Sequence, residues 1–342
     1  MRASVPLSLL MLTSCFGAPP YQGPPSDHFT GHRFVNQVKT NRPGANEFLR
    51  WALTREPGPW PDTIAQEPGP PPPDIVEGSD LRVTFVGHST VLFQTAGLNV
   101  LTDPVWSDRV GPLSWLGPLR KRAPAIRFRD LPPIDLVLIS HNHYDHMDLP
   151  TLRRLADEHS PRFVVGLGVE RLLEDEEIPG GVALDWWESI DLGNDVRLTV
   201  TPAQHFSGRG FLDQDRTLWV SFVLEGPGGP VYYAGDTALG PQFYQIRQRF
   251  GPTRLAIIPI GAYLPRELME SVHLSPSEAV YASRILNAKT SVPCHYGTFS
   301  QTDEGFGQAI EDLRAAFRWD EAEHFWVLDH GIGQAVPPLA HR

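Results

Sequence analysis

The stretch His141-Asn142-His143-Tyr144-Asp145-His146 places three histidines and an aspartate within six residues. Imidazole nitrogen and carboxylate oxygen together suit zinc and its first-row neighbours. The run Ile134-Asp135-Leu136-Val137-Leu138-Ile139-Ser140 leads into it and reads as a buried strand. A buried strand that ends in so many polar groups is costly unless an ion engages them. If the chain then curls into a turn and a helix start, His141 and His143 face one ion. Asp145 and His146 then reach a second one close by. A solvated histidine loop is the competing reading.

Three further candidates each follow a strand-like run. His205 comes after Val196–Pro202, Asp236 closes Val231-Tyr232-Tyr233-Ala234-Gly235, and His295 follows Ser291-Val292-Pro293-Cys294. Singly, each has a plainer reading: a hydrogen-bonded surface histidine, or Gly235-Asp236-Thr237 as a simple turn. Their repetition at strand ends beside the first cluster favours the metal. A ligating histidine needs an acceptor on its other ring nitrogen. Asp103, in Thr102-Asp103-Pro104, is the candidate, with a plain turn aspartate as the alternative. His88 stands in a Gly-containing turn, where proximity to metals and a packing role are equally open, and Cys294 reads as a small buried residue.

The elements that must position these groups are short. Strands are expected at 81–86, 91–95, 99–102, 134–140, 162–166, 196–201, 217–225, 231–234, 255–260 and 324–328. Helices are expected at 45–54, 150–159 and 304–318. Another is announced at Ser275-Pro276-Ser277-Glu278 by an N-cap, a first-turn proline and a capping box. Strand runs interrupted by helices fit an α/β chain with two sheets packed face to face and helices outside, a four-layer αββα sandwich with the metal residues at one rim.

The chain has 342 residues, 41% of them hydrophobic and 20% charged, which predicts a packed core. Its net charge of −11 argues against a nucleic-acid partner bound through a basic surface. The two cysteines, Cys15 and Cys294, build no disulfide framework. Residues 1–15 read as an export signal, and Leu12-Thr13-Ser14-Cys15 looks like the lipobox of a bacterial lipoprotein. Lipidated Cys15 would tether the protein to the periplasmic side of a membrane. A cytosolic chain with an apolar tail is the alternative. Residues 16–80 form a Pro/Gly-rich extension, whose Phe29, Phe34, Trp51 and Trp60 suggest packing on a main domain at 81–342.

Taken in order and context, the H-x-H-x-D-H string, His205, Asp236 and His295 resemble the metallo-β-lactamase superfamily. The closer resemblance is to its N-acylphosphatidylethanolamine-hydrolysing phospholipase D branch. It rests on Gly87-His88-Ser89-Thr90, Leu101-Thr102-Asp103-Pro104, Leu131-Pro132-Pro133-Ile134-Asp135, Pro259-Ile260-Gly261-Ala262-Tyr263, and His273 ahead of Pro276-Ser277-Glu278. The resemblance implies two Zn2+ ions, or other divalent first-row metals. His141, His143 and His205 would hold one, Asp145, His146 and His295 the other, and Asp236 would bridge them. In flavodiiron members a Glu takes the second histidine position, so His143 points to hydrolysis. Asp145 and Asp236 would offset the dications and orient the attacking water. His273 matches a branch-specific active-site histidine, read as a phosphate contact or leaving-group acid, and Tyr263 as a contact to the same group.

The expected activity is a phosphodiesterase of phospholipase D type on a phospholipid such as an N-acylated phosphatidylethanolamine. Trp115, Leu116, Trp186, Trp187, Phe206 and Leu264 are the candidates for apolar surface near the metals. A lactonase or other ester hydrolase, and a non-catalytic metal-stabilised surface lipoprotein, are the alternatives.

Overall fold

Leu136 and Leu138 of the strand Leu136–Ile139 face one core, while Val137 and Ile139 face another. This period-two split marks a strand buried on both sides, and it repeats across the molecule. The computed structural model describes residues 17–40, 42–113, 115–210, 212–318 and 321–339. The expected signal and Cys15 lie outside the described residues.

The strands are β1 (Leu81–Gly87), β2 (Thr90–Thr95), β3 (Leu98–Thr102), β4 (Leu136–Ile139), β5 (Arg162–Gly166), β6 (Gly181–Leu184), β7 (Ser189–Gly193), β8 (Val196–Pro202), β9 (Val220–Glu225), β10 (Val231–Tyr233), β11 (Leu255–Pro259), β12 (Thr290–Cys294) and β13 (Gln334–Ala335). They form two sheets, ordered β13-β1-β2-β3-β4-β5-β6 and β12-β11-β10-β9-β8-β7. Phe85, Phe93 and Leu138 of the first sheet meet Leu198, Phe222 and Ile257 of the second in a central core. The helix Leu149–His159 covers the outside of the first sheet through Leu152 and Leu155. Helices Gln242–Phe250, Pro276–Leu286 and Gln308–Ala316 cover the second. The fold is the four-layer αββα sandwich.

Ser275 caps its helix by accepting from the Glu278 amide, and Glu278 answers the Ser275 amide at 2.7 Å. One expected strand is absent. Of the run 324–328, His324 ends the helix Glu321–His324, and Phe325 pairs with Ser291 in an isolated parallel bridge. The Trp326 amide donates to the Ser291 carbonyl. The next bond of a parallel ladder would need the amide of Pro293, which has none. The last long helix is also shorter than the expected 304–318, spanning Gln308–Ala316.

The Pro-rich extension is part of the body. Phe29 and Phe34 enter the central core, Trp51 Nε1 donates to Asp303 at 2.7 Å, and Trp60 Nε1 to the Glu304 carbonyl at 2.9 Å. His28 stacks on Trp186 and bridges Asp27 (2.5 Å) and Asp185 (2.6 Å). Burial disfavours its charged form, but hydrogen bonds to Asp185 and Asp27 outweigh this and raise its pKa. The resulting stabilisation is fully present below about pH 6.5 and is lost as pH rises through the raised value. The stability difference between the parent and His28→Gln, from urea unfolding, should therefore shrink on going from about pH 5.5 to about pH 9.

Arg254, only 2% exposed, sits at the β11 start. It donates to the carbonyls of Pro337 (3.0 Å), Ser79 (2.7 Å) and Val336 (2.7 Å), joining the extension's end and the C-terminal segment to the second sheet. Arg254→Met would strand those carbonyls and should cost about 3–5 kcal/mol in urea unfolding. A loss under about 1 kcal/mol would show that water replaces the guanidinium there.

Candidate metal centre

Every candidate metal ligand lies at a strand end or in the loop beyond it, at one rim of the two sheets. His141 follows β4 in the first sheet; His205, Asp236 and His295 follow β8, β10 and β12 in the second. The two sheets approach closely here because residue 235 is glycine. At its φ of 59° a Cβ would lie 2.5 Å from the Ser140 Cβ, so any side chain would push Asp236 away from the His141 turn. His88, Asp103 and His295 also hold left-handed backbones (φ 56°, 31° and 60°). Such conformations cost about 1–3 kcal/mol each and persist where the surroundings hold them.

Two groups of ligand atoms result. In the first, His141 Nε2 lies 2.7 Å from His143 Nδ1, and His205 Nε2 lies 3.4 Å from the same atom. In the second, Asp145 Oδ2 is 3.4 Å from His146 Nε2 and 3.3 Å from His295 Nε2. Asp236 Oδ2 joins them: 3.2 Å from His146 Nε2, 3.2 Å from His295 Nε2 and 3.8 Å from His205 Nε2. A tetrahedral site with Zn–N of 2.0–2.1 Å has ligand edges of roughly 3.3 Å. Most of these separations match that edge. Buried His146 Nε2 and Asp236 Oδ1 have no hydrogen-bond partner, as ligand atoms aimed at a cation would not. The residues fit a metal centre.

On three of the five rings the nitrogen pointing away has a hydrogen-bond partner, while His295 Nδ1 is buried without one. His141 Nδ1 meets Ser140 Oγ at 2.9 Å, His205 Nδ1 the Val272 carbonyl at 2.8 Å, and His146 Nδ1 Asp103 Oδ2 at 2.6 Å. Asp103 also accepts from the Ser140 amide (2.7 Å), Ser140 Oγ (2.6 Å) and the Tyr233 hydroxyl. It is the buried acceptor that the sequence suggested, and it steadies a histidine in each group, His146 directly and His141 through Ser140.

Electrostatics agree. Burial holds His141 and His205 well below the usual histidine value and brings His143 to about 4, leaving neutral rings with free lone pairs. Burial would lift Asp145 and Asp236, but His146 overrides it, with help from His295, and holds both well below the carboxylate range. Burial likewise opposes charge on His146 and His295. Asp236 and Asp145 outweigh it, raising His146 strongly and His295 to about 9. The two carboxylates thus demand positive charge at this spot.

His273, expected near the centre, is there: Nδ1 lies 3.8 Å from Asp236 Oδ2, buried and without a hydrogen-bond partner. His88, left open by the sequence, also belongs to it, with Nε2 2.9 Å from Asp145 Oδ2. Gln301 Nε2 donates to the same oxygen at 2.8 Å, and no sequence signal marked it. Cys294 is buried, as expected. Tyr263 is a correction, because its hydroxyl is committed to Asp312 on the helix Gln308–Ala316. Of the apolar candidates, Phe206 lies against His143 and His205. Trp186 and Trp187 pack with the cores, Leu264 lies partly buried against the outer core of the second sheet, and Trp115 and Leu116 are exposed.

Comparison with known proteins agrees with this geometry. The beta-lactamase superfamily domain matches residues 98–296, which contain all seven ligand candidates. The chain belongs to the metallo-β-lactamase superfamily and is a metal-dependent hydrolase of it. Among relatives, an uncharacterized protein of Mycobacterium tuberculosis is 40% identical over 273 residues, 78% of this chain and 72% of that protein. An N-acyl-phosphatidylethanolamine-hydrolyzing phospholipase D of Caenorhabditis elegans is 36% identical over 236 residues, 66% of each chain. A metallo hydrolase of Ignicoccus hospitalis shares the fold, with a TM-score of 0.56 and 22% identity over 75% of this chain and 98% of that one.

Proposed function

We propose that this metallo-β-lactamase superfamily member is a dinuclear zinc-dependent phosphodiesterase of phospholipase D type, acting on N-acylphosphatidylethanolamine-like phospholipids. The observation that carries the reading is Asp236 Oδ2, set within 3.2–3.8 Å of histidines from both ligand groups. His141, His143 and His205 would hold one ion, Asp145, His146 and His295 the other, with Asp236 bridging. Bound there, zinc supplies activated water at neutral pH and neutralises charge on a phosphoryl group.

The chain's own residues do the rest. His88 and Gln301 both meet Asp145 Oδ2 and keep that carboxylate turned toward the centre. Burial brings His273 to about 4, so its ring is neutral at physiological pH. A neutral ring donates one hydrogen bond, which suits a phosphoryl oxygen better than full proton transfer to the leaving group. The choice of substrate is supported by the Caenorhabditis elegans relative, whose name states that lipid. Export as a lipoprotein through Cys15 is proposed on the sequence alone.

Metal-quantified protein should release phosphatidic acid and N-acylethanolamine from N-acylphosphatidylethanolamine, and a chelator should stop it. Turnover of lactones alone would replace the reading with an ester hydrolase. Bound zinc without turnover of any phosphodiester, phospholipid or lactone would make the centre structural.

A further inference from the structure

The helix Ala45–Thr54 crosses the rim of the metal centre. Ahead of it, Asn36 Nδ2 donates to the His205 carbonyl at 2.8 Å, and Arg42 lies over the Phe206 ring and pairs with Asp215. Behind it, Arg55 pairs with Asp303 and donates to the carbonyls of Gln301 and Thr302. The helix therefore runs from the His205 side to the Gln301–Asp145 side. Trp51 is its inward tether, through Asp303. Phe48, Leu49 and Leu53 are exposed on it, Leu53 by 77%.

A second apolar projection rises from the same rim. The 109–119 loop closes at its base through the Arg109–Leu119 bridge, and Arg120 bridges Phe299. Val110 and Phe299 pack with Tyr144, which stands between His143 and Asp145. At the loop's tip Trp115 is 71% exposed and Leu116 is also exposed. Cationic groups accompany these side chains. Between residues 33 and 56, Arg33, Lys39, Arg42, Arg50 and Arg55 stand against Glu47 and Glu56, with Arg42 and Arg55 paired to Asp215 and Asp303, in a chain of net charge −11. Arg33, Lys39 and Arg50 are exposed.

The geometry points to an interfacial docking surface for an anionic phospholipid bilayer, made by Phe48, Leu49 and Leu53 on the outer face of the helix Ala45–Thr54 and by Trp115 and Leu116. Apolar side chains flanked by cations bind such a surface by burial in the acyl boundary and attraction to anionic headgroups. A folded chain this acidic overall would otherwise be repelled. The inference rests on the phospholipase reading for its purpose: a docked face at the rim of the centre lets a lipid reach it from the bilayer.

The test uses the full chain carrying Cys15→Ala, so that no acyl anchor contributes. Vesicles of phosphatidylcholine alone are compared with vesicles containing phosphatidylglycerol by co-sedimentation, and hydrolysis is followed separately on a short-chain phospholipid kept monomeric. Binding should favour the anionic vesicles and weaken with salt. It should fall about tenfold or more in Leu49→Glu/Leu53→Glu, and measurably in Trp115→Ala, with monomeric turnover kept. Undiminished vesicle binding by the double variant would overturn the proposal. So would absence of vesicle binding together with a dimer that the same variant dissolves, which would make the face an interface between copies. Vesicle binding lost in the variant, but no phosphatidic acid from the parent, would uphold the surface and sink the phospholipase reading instead.

Discussion

Replacing Asp236 with asparagine is expected to lower kcat/KM by about a thousandfold or more while leaving the fold intact. The change is nearly isosteric, so the closely packed Gly235–Ser140 crossing is kept. What disappears is the one negative charge that lies within 3.2–3.8 Å of His146, His295 and His205. Asparagine leaves one neutral oxygen in place of the shared carboxylate, so the proposed bridge weakens and a second dication would lose part of its charge compensation. On the proposed dinuclear reading, metal content per chain should fall from about two toward one, while far-ultraviolet circular dichroism stays unchanged. Parent-like turnover in a variant that still holds two metals would remove Asp236 from its bridging role. Parent-like function with altered metal content would favour a structural centre.

The second large effect is expected at Asp103, which the substrate never needs to touch. Its carboxylate is fully buried and accepts from His146 Nδ1, the Ser140 amide and hydroxyl, and the Tyr233 hydroxyl. In Asp103→Asn one acceptor oxygen becomes an NH2 group, which must face at least one of those donors. Breaking a buried, charge-assisted network this way should cost about 3–5 kcal/mol of stability, read by urea unfolding. Metal affinity should drop about 10–100-fold in competition with a chromophoric chelator, because His146 loses the partner that turns Nε2 inward. Unchanged affinity in a folded variant would mean that packing alone orients His146.

How far the chain could be read differs between elements for physical reasons. The β4 run and its H-x-H-x-D-H ending are local, so their strand and ligand types follow from residues that are neighbours in the chain. The capped helix Pro276–Leu286 was equally legible, since every signal for it lies within four residues. The edge strand β7 alternates polar and apolar residues, but over only two apolar positions, Ile190 and Leu192, both half-buried, which is too short a pattern to announce a strand. The run 324–328 had the pattern without the pairing, because strand formation depends on what the neighbour offers, and Pro293 offers no amide.

The site divides along the same line. The donor types are written in the chain: five imidazoles and two carboxylates near strand ends, a set that suits a metal ion, while hydrolytic chemistry comes from the family resemblance. The fold fixes which nitrogen of His146 and of His205 turns inward, because the partners that choose it are remote, whereas His141 uses its neighbour Ser140. Asp103 lies 43 positions from His146, and Val272 lies 67 from His205. It also decided that His88 and Gln301 converge on Asp145, and that Tyr263 turns away to Asp312. The helix Ala45–Thr54 is the plainest case. Its residues favour an amphipathic helix, but where its apolar face points depends on the tethers at Arg42, Trp51 and Arg55, which hold the inner side down and leave Leu49 and Leu53 facing out. Helical periodicity says which side chains share a face; only packing says what that face meets.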